Sequence, residues 1–442
     1  MQRVSRKWRR GLNAWARAPA RIFTPSRLKK TCRSFGAKLQ RVNKRLEILY
    51  LASWFPFPAD NGSRQRTFYL LRALAARHQV SLIALYDAEQ APPQLDALRA
   101  YNADISALPR KIFIPQRARA VRALFSPQPR SVIETFDPAV ANCVQTRVAQ
   151  TAFDVILVGE LAMAPYARKI NGPRKILDDI EASVFADPFQ QARGFHRIRR
   201  GLTWWKFQNY VRTLASEFDA LTVVSPRERE LAHALTMPAK QIHIVPNGVD
   251  VSAADAVTGS AIPDTLIYNG SLTFAPNQDA MRFFVRETLP LVRAHAPNVV
   301  LRITGRADQV AQKELSADNI VLFTGYVPDV KPLVKTSALC IVPLRQGGGT
   351  RLKILEAMAL RTPVVATSKG AEGLQVRHRK HLLIADTPRA FADAILELLQ
   401  NPSLRATLTA NAYAQARRVY DWTVIGEQLD RVVVQTASSQ IC

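Results

Sequence analysis

Two hydrophobic periods alternate along this chain. Short aliphatic runs closed by glycine, proline or asparagine read as buried strands. Stretches with apolar residues at i, i+3, i+4 and i+7 read as amphipathic helices. Residues 46–51 (LEILYL) form the first strand run. A loop follows over 53–63, punctuated by Pro56, Pro58 and the pair Asn61-Gly62. The next helix, over 64–77, sets Phe68, Leu71, Leu74 and Ala75 on one face, and 80–85 is a second strand. Pieces of strand and helix broken by prolines fill 92–130. Further strands are expected at 153–159, 175–181, 218–225 and 242–245. A basic helical stretch lies between them over 189–218, and a helix over 226–235 is capped by Ser225. The pattern then pauses, because 253–263 is small and polar, as a linker between domains would be.

After the pause the pattern restarts. Strands at 266–270, 299–305 and 320–325 each close on a glycine (Gly270, Gly305, Gly325), and a helix opens at 278–286. Helices over 388–399, 404–419 and 421–435 finish the chain. Strands alternating with helices build parallel sheets joined by crossovers, so the fold class is α/β, with a doubly wound sheet in each half.

The most informative stretch is 345–374, RQGGGTRLKILEAMALRTPVVATSKGAEGL. A strand run at 338–343 enters it, Gly347, Gly348 and Gly349 follow, a helix is expected over 350–360, and a strand run at 363–367 closes the unit. The glycine loop then lies at the carboxyl edge of a parallel sheet, where ligands bind in open α/β folds. Glycines let the chain turn sharply and let a ligand approach the main chain. The first turn of the helix offers unpaired N–H groups and a partial positive charge, a setting suited to phosphate. Arg351 and Lys353 add cations there. Hydrogen bonds to a charged group contribute about 1.5–3 kcal/mol each, and micromolar affinity needs about 8 kcal/mol. Leu352, Leu355 and Ala359 mark the expected buried stripe. Glu356 borders it, placed either to accept two hydroxyl protons from a ribose or to form a surface ion pair with Lys353. The loop is neither a Walker loop, since G-x-x-x-x-G-K-[ST] is missing, nor a dinucleotide fingerprint, since Leu352 stands where the last glycine belongs.

Composition narrows the class further. Four cysteines (Cys32, Cys143, Cys340, Cys442) are scattered without metal or disulfide spacing, and the histidines form no H-E-x-x-H cluster. This fits a reducing compartment. The formal charge is +26, and residues 1–45 hold many Lys and Arg with no Asp or Glu. That segment has no apolar run long enough for a signal peptide or a membrane span. Trp8, Leu12, Trp15 and Ile22 among its arginines suit an anionic lipid interface. A solvated tail, nonspecific nucleic-acid binding and a transit peptide stay open as readings. Within 189–218, Trp204 and Trp205 lie among arginines, as membrane-facing or as core residues. Asp178, Asp179 and Glu181 end a strand at the ligand-facing edge, for acid–base work or acceptor hydroxyls, or else as caps and solvated charge.

Several segments, in order, resemble the GT-B glycosyltransferases of family 4, which transfer sugar from a nucleotide-sugar with retention of anomeric configuration. They are Pro56-x-Pro58 with Asp60 and Gly62-Ser63-x-x-Arg66, Val223-Val-Ser225, and Val245-Pro-Asn-Gly-Val-Asp250. Gly270 to Asn277, Gly305, the run Gly349 to Glu356, and Glu372-Gly373 complete the set. The Gly-Ser and Pro-Asn variant in the second half resembles a branch found beside bacterial exopolysaccharide genes. The resemblance covers 46–435. It implies two facing Rossmann-like domains with a cleft between them: an acceptor domain over 46–250 and a donor domain over 251–420. A helix within 421–442 crosses back to the first domain, and 1–45 stays outside the likeness.

The resemblance also implies roles. Gly62 approaches the diphosphate from the first domain. Gly270, Gly305 and Arg306 border the donor, while Gly347, Gly348, Gly349, Thr350 and Arg351 cradle its phosphates. Arg351, Lys353 and Glu356 form the catalytic set, with Glu356 on the ribose. Asp60, in the substrate loop, joins Asp179 and Glu181, chosen above for their place at the strand edge, as the acceptor candidates. No metal or cofactor is implied. Two departures stand out. The family often has two glutamates eight positions apart, and the first falls on Gly348 here. It also often has an Arg–Lys pair after the first donor-domain strand, and 271–277 contains neither, which leaves Arg306, Arg351 and Lys353 to supply that charge. The expected partners are a nucleotide-sugar, a glycan or lipid-linked acceptor and an anionic membrane surface, with no specific nucleic acid. The expected place is the cytoplasm or the inner face of the cell membrane. A nucleotide-sugar epimerase of the same fold and a non-catalytic lipid- or nucleic-acid-binding protein are the alternatives.

Overall fold

The computed structural model describes residues 45–439 apart from 90–92, 102–103, 112–125, 127, 237–240 and 317–319. The expectations for 1–44, Trp8, Leu12, Trp15 and Ile22 among them, and for Cys32 and Cys442, lie outside the described residues.

The first half carries a seven-stranded parallel sheet. Its strands are β1 (Glu47–Ala52), β2 (Gln79–Tyr86), β3 (Asp104–Pro109), β4 (Val155–Gly159), β5 (Arg174–Asp178), β6 (Ala220–Val223) and β7 (Ile242–Ile244), in the order β3-β2-β1-β4-β5-β6-β7. The second half carries six parallel strands: β8 (Ile262–Asn269), β9 (Val300–Thr304), β10 (Val321–Gly325), β11 (Ser337–Val342), β12 (Val364–Ala366) and β13 (Leu383–Ile384), in the order β10-β9-β8-β11-β12-β13. The strands are apolar on both faces because helices cover both sides of a parallel sheet. Leu49 and Leu51 enter one core, with Ile156, Phe207 and Leu214, while Ile48 and Tyr50 enter the other, with Leu70 and Leu74.

Six helices position the site. They are α1 (Gly62–Ala75), α2 (Ser183–Gln191), α3 (Gly194–Glu217), α4 (Pro226–Leu235), α5 (Leu352–Ala359) and α6 (Trp422–Ser438). Ser225 caps α4, its side chain accepting from the backbone N–H of Glu228. Helix α6, the last in the chain, lies on α1, β4 and β5 of the first half. Trp422, Ile425, Leu429 and Val433 complete the core on the Ile48 side. Burying side chains of this kind stabilises a fold by about 1.5–3 kcal/mol each. The contact is close: a Cβ on Gly426 would lie 2.4 Å from that of Ala73.

Two strands of chain link the halves, and they pair with each other. The Val249 N–H donates to the Tyr420 carbonyl at 2.8 Å, and the Trp422 N–H to the Val249 carbonyl at 3.3 Å. The stretch 253–263 is shorter as a linker than its composition suggests, because Val251–Asp255 is helical under the Asp250 cap and β8 begins at Ile262. The helical stretch expected over 189–218 is divided, since the backbone is extended at Ala192 and Arg193 between α2 and α3. The strand expected over 175–181 stops at Asp178 because Asp179 takes a left-handed φ of 63°.

Candidate active site

Each sheet reverses its winding direction next to its first strand, between β1 and β4 and between β8 and β11. At such a point the loops leaving neighbouring strands diverge and leave a crevice at their carboxyl ends. Here both crevices face one cleft. The loops after β1 and β4 bring Gly62 and Glu160 from one side, and those after β8 and β11 bring Gly270 and Gly347–Gly349 from the other.

Two helix starts meet there. Helix α1 begins at Gly62 behind an Asn61 cap, which accepts from the Arg64 N–H. Helix α5 begins at Leu352, two residues later than its sequence pattern predicts. Gly349 has φ +79° and Arg351 is not helical, so the glycine turn extends through Thr350. A Cβ on Gly62 would lie 3.2 Å from Leu352 Cδ1. Leu352 is therefore not part of the buried stripe as expected; Ile354, Leu355, Ala357, Met358 and Ala359 are buried, while Leu352 and Glu356, half-buried, line the cleft. A cavity of about 930 Å³ opens between the two starts, lined by Asn61, Gly62, Gly348, Gly349, Asp179 and Glu181 among others. Two helix N-termini thus point into one cavity from opposite halves, an arrangement whose N–H groups and partial charge suit an anion.

A second recess of about 290 Å³ lies beside Glu356, bordered by Asn269, Gly270, Gly305, Lys331 and Asp60. Gly305, at φ +100°, lets the ends of β8 and β9 touch, since a Cβ there would lie 2.8 Å from the Ser271 nitrogen. Glu356 has no surface ion pair with Lys353. Its carboxylate accepts from the Asn269 side-chain amide at 2.7 Å, and burial pushes its carboxyl up to about 7.

The three candidate cations take different places. Arg351 folds inward and donates to the carbonyls of Gly347, at 2.7 Å, and Gly348, so its guanidinium braces the glycine turn. Lys353 reaches the end of β8, with its ammonium 3.9 Å from the Tyr268 ring centroid and 3.4 Å from Asn277 Oδ1. Burial lowers it to about 7. Arg306 is exposed, 5.8 Å from the Tyr326 ring, on the outer rim.

The acceptor candidates separate as well. Asp60 borders the Glu356 recess and pairs with Arg64 at 3.0 Å, whereas Asp179 and Glu181 line the larger cavity. Neither of the latter is a helix cap or a solvated charge. Burial raises the Asp179 carboxyl well above its ordinary range; Arg66 opposes this, and Glu181 and Asp178 add to it. Burial, with Glu228 and Glu160, brings Glu181 up to about 7. Asp178 serves structure: Arg66 donates to both its oxygens at 2.8 and 2.6 Å.

Sequence reasoning passed over several residues here. Glu160, after β4, has φ +66° and hydrogen-bonds Ser53, so two left-handed acidic residues, Glu160 and Asp179, end adjacent strands in one cavity wall. Such backbone strain persists only where the surroundings enforce it. Arg66 also donates to Asn247 Oδ1 at 2.9 Å, and Asn247 donates to Thr350 Oγ1 at 3.1 Å, which ties α1 to the glycine turn. The signal was present, because Arg66 and Asn247 stand in the quoted motifs. A charged latch also spans the cleft. Asp187 and Arg227 from the first half meet Lys369 and Glu372 from the second, with Lys369–Asp187 at 2.6 Å, Arg227–Asp187 at 2.5 Å and Arg227–Glu372 at 3.0 Å.

Two solved structures share this architecture. Sucrose-phosphate synthase from Thermosynechococcus elongatus superposes with a TM-score of 0.64 at 18% identity, covering 88% of this chain and 99% of that one. Anabaena Alr3699/HepE in complex with UDP and glucose gives 0.63 at 15% identity, covering 88% and 100%. The fold is thus the two-domain GT-B fold of glycosyltransferases. The family model Glycosyltransferase Family 4 matches residues 60–253, and Glycosyl transferases group 1 matches 263–401. The chain belongs to the family 4 GT-B glycosyltransferases and is an enzyme that transfers sugars. Among relatives, a phosphatidyl-myo-inositol mannosyltransferase of Mycobacterium leprae (strain TN) is 27% identical over 398 residues, 87% of this chain and 96% of the relative. The lipopolysaccharide core biosynthesis mannosyltransferase LpcC of Rhizobium leguminosarum bv. viciae is 28% identical over 227 residues, 47% of this chain and 62% of the relative.

Proposed function

We propose that this enzyme transfers a sugar from a nucleoside diphosphate-sugar to a glycan or lipid-linked acceptor, with retention at the anomeric carbon. The observation that carries the reading is the convergence of the α1 and α5 starts on one cavity beside the Glu356 recess. In this reading Glu356 accepts the ribose hydroxyls, aligned by Asn269. The N–H groups around Gly348–Thr350 and at Gly62 hold the diphosphate, and Lys353 adds charge where the usual Arg–Lys pair is missing. Arg351 positions the turn. These groups stabilise charge that grows on the departing diphosphate, and the reading assigns no resident metal or cofactor. The bond from the anomeric carbon to the phosphate oxygen breaks, the bond to the acceptor oxygen forms on the same face, and the acceptor proton passes to the leaving phosphate.

Gly348 offers no sugar-binding carboxylate, and a Cβ there would already lie 3.1 Å from Val184 Cγ2. Glu181 faces the same turn from the first half, with Oε1 3.5 Å from a Cβ position on Gly349. We assign it to sugar hydroxyls at the junction of donor and acceptor, with Asp179 behind it. The names of the mannosyltransferase relatives favour a lipid-linked or envelope glycan acceptor; we extend this reading to a place at the inner face of the cell membrane and a part in exopolysaccharide assembly. Calorimetric titration with UDP and GDP, followed by a nucleotide-sugar panel read by mass spectrometry, tests the reading. Binding of a nucleoside diphosphate is expected, and a folded protein that binds none overturns it.

A further inference from the structure

Helix α3 has two apolar faces. Phe207, Tyr210, Val211 and Leu214 pack into the first-half core. Phe195, Ile198, Leu202 and Trp205 are exposed, Phe195 by 78% and Ile198 by 70%. At 100° per residue these four fall within an arc of about 80° on the side of the helix away from the core. Apolar side chains so aligned and so uncovered are not left over from packing; four of them in a row mark a contact surface. Arg193, Arg197, Arg199 and Arg200 surround the exposed end, and no acidic residue occurs between Asp187 and Glu217. The sequence left Trp204 and Trp205 undecided between core and membrane, and the fold divides them: Trp204 stacks on Phe207, 5.6 Å between centroids, while Trp205 points outward and is half exposed.

We propose that this stripe docks the enzyme on an anionic lipid bilayer, with Phe195, Ile198, Leu202 and Trp205 entering the headgroup–acyl boundary and the arginines on lipid phosphates. The charge decides the occupant. A second copy of a chain with net charge +26 would bring arginines against arginines, whereas an anionic bilayer complements them. The same helical hairpin walls the large cavity: Val184 and Phe185 of α2 and Phe207 and Tyr210 of α3 line it. Docking through the outer face of α3 therefore leaves one helix thickness, about 10 Å, between the bilayer surface and the cavity wall, within reach of the head of a lipid acceptor. This deepens the membrane-side reading above and rests on it for the acceptor alone.

The test uses co-sedimentation with phosphatidylcholine vesicles, with and without phosphatidylglycerol. It compares the full chain, a chain lacking residues 1–45, and each of these carrying Phe195→Ser, Ile198→Ser and Trp205→Ser together. The triple substitution is expected to lower partition onto the anionic vesicles at least about tenfold in both backgrounds, with UDP or GDP affinity and thermal unfolding unchanged. As a second readout, brominated phosphatidylcholine mixed into the anionic vesicles is expected to quench tryptophan fluorescence, and Trp205→Phe to remove part of that quenching. Equal partition of the triple variant and its parent, or quenching that Trp205→Phe leaves unaltered, overturns the proposal. So does a parent that self-associates through the stripe and binds no vesicles. Vesicle binding without any nucleoside diphosphate binding would sink the donor reading and leave this surface standing.

Discussion

The side-chain amide of Asn269 holds the Glu356 carboxylate at 2.7 Å, joining the end of β8 to the helix that follows β11. These are the two strands that flank the winding reversal of the second sheet, so the contact sits at the root of the crevice. Removing the carboxylate by Glu356→Ala should weaken nucleoside diphosphate binding by about 1–3 kcal/mol, read by calorimetry. An unchanged affinity would place the ribose elsewhere.

Proton exchange on binding gives a sharper check. Glu356 sits at about 7, raised by burial, and a ribose diol needs its ionised form. Binding below about pH 7 should therefore release a proton, and affinity should fall as the solution is acidified. Lys353 also sits at about 7, lowered by burial, and a diphosphate needs its charged form. Binding above about pH 7 should take a proton up, and affinity should fall again. Titrations in buffers of different ionisation enthalpy should show release changing to uptake as pH rises. Glu356→Gln should remove the release, and Lys353→Met the uptake.

The cavity floor predicts a pH trend in stability. Asp179 and Glu181 bind protons more tightly folded than unfolded, because burial raises both. The unfolded chain sheds these protons first as pH rises, so each group's stabilising contribution is present at low pH and is lost as pH rises through its folded value. For Glu181 that loss spans about pH 4.5 to 7. The melting temperature should fall over this span, and Asp179→Asn should flatten the fall and melt higher than the parent at the alkaline end. Differential scanning calorimetry reads both.

The latch of Asp187, Arg227, Lys369 and Glu372 bridges the cleft with partly buried charges. Glu372 contacts both Arg227 and Lys369, so Asp187→Ala alone leaves one bridge in place, whereas Asp187→Ala with Glu372→Ala leaves Arg227 and Lys369 facing each other. The cleft should open, raising the radius of gyration in small-angle scattering and lowering kcat/KM. Added salt should produce a weaker version of the same change in the parent.

The seam between α1 and α6 is too close to admit another carbon. Gly426→Ala would place a methyl 2.4 Å from Ala73 Cβ and should cost about 1–3 kcal/mol in denaturant unfolding.

Much of this architecture is legible in the sequence, for a physical reason. Parallel strands buried on both faces are short unbroken apolar runs, and the glycines just after β9 and at the end of β10 mark their carboxyl edge. The run at 345–374 pointed to the α5 unit because glycine turn, helix and strand are local. What local pattern could not give is where a long side chain goes. Arg351 reads as a cation for a ligand, but its guanidinium finds two nearer acceptors in the carbonyls of its own turn. Leu352 reads as core because it keeps the helical period, yet the late start of α5 turns it toward Gly62. The latch joins Asp187 to Lys369 across 182 positions of the chain, and no spacing rule brings such partners together.

The position of α6 bears on how the molecule is made. A ribosome delivers all seven strands of the first sheet long before it delivers Trp422, Ile425 and Leu429, which seal that sheet's Ile48 side. Until those residues emerge, a nascent chain holds a finished sheet whose Ile48 flank is covered only in part, by Leu70, Leu71 and Leu74 of α1. The first half is therefore completed last, after the half that follows it in sequence.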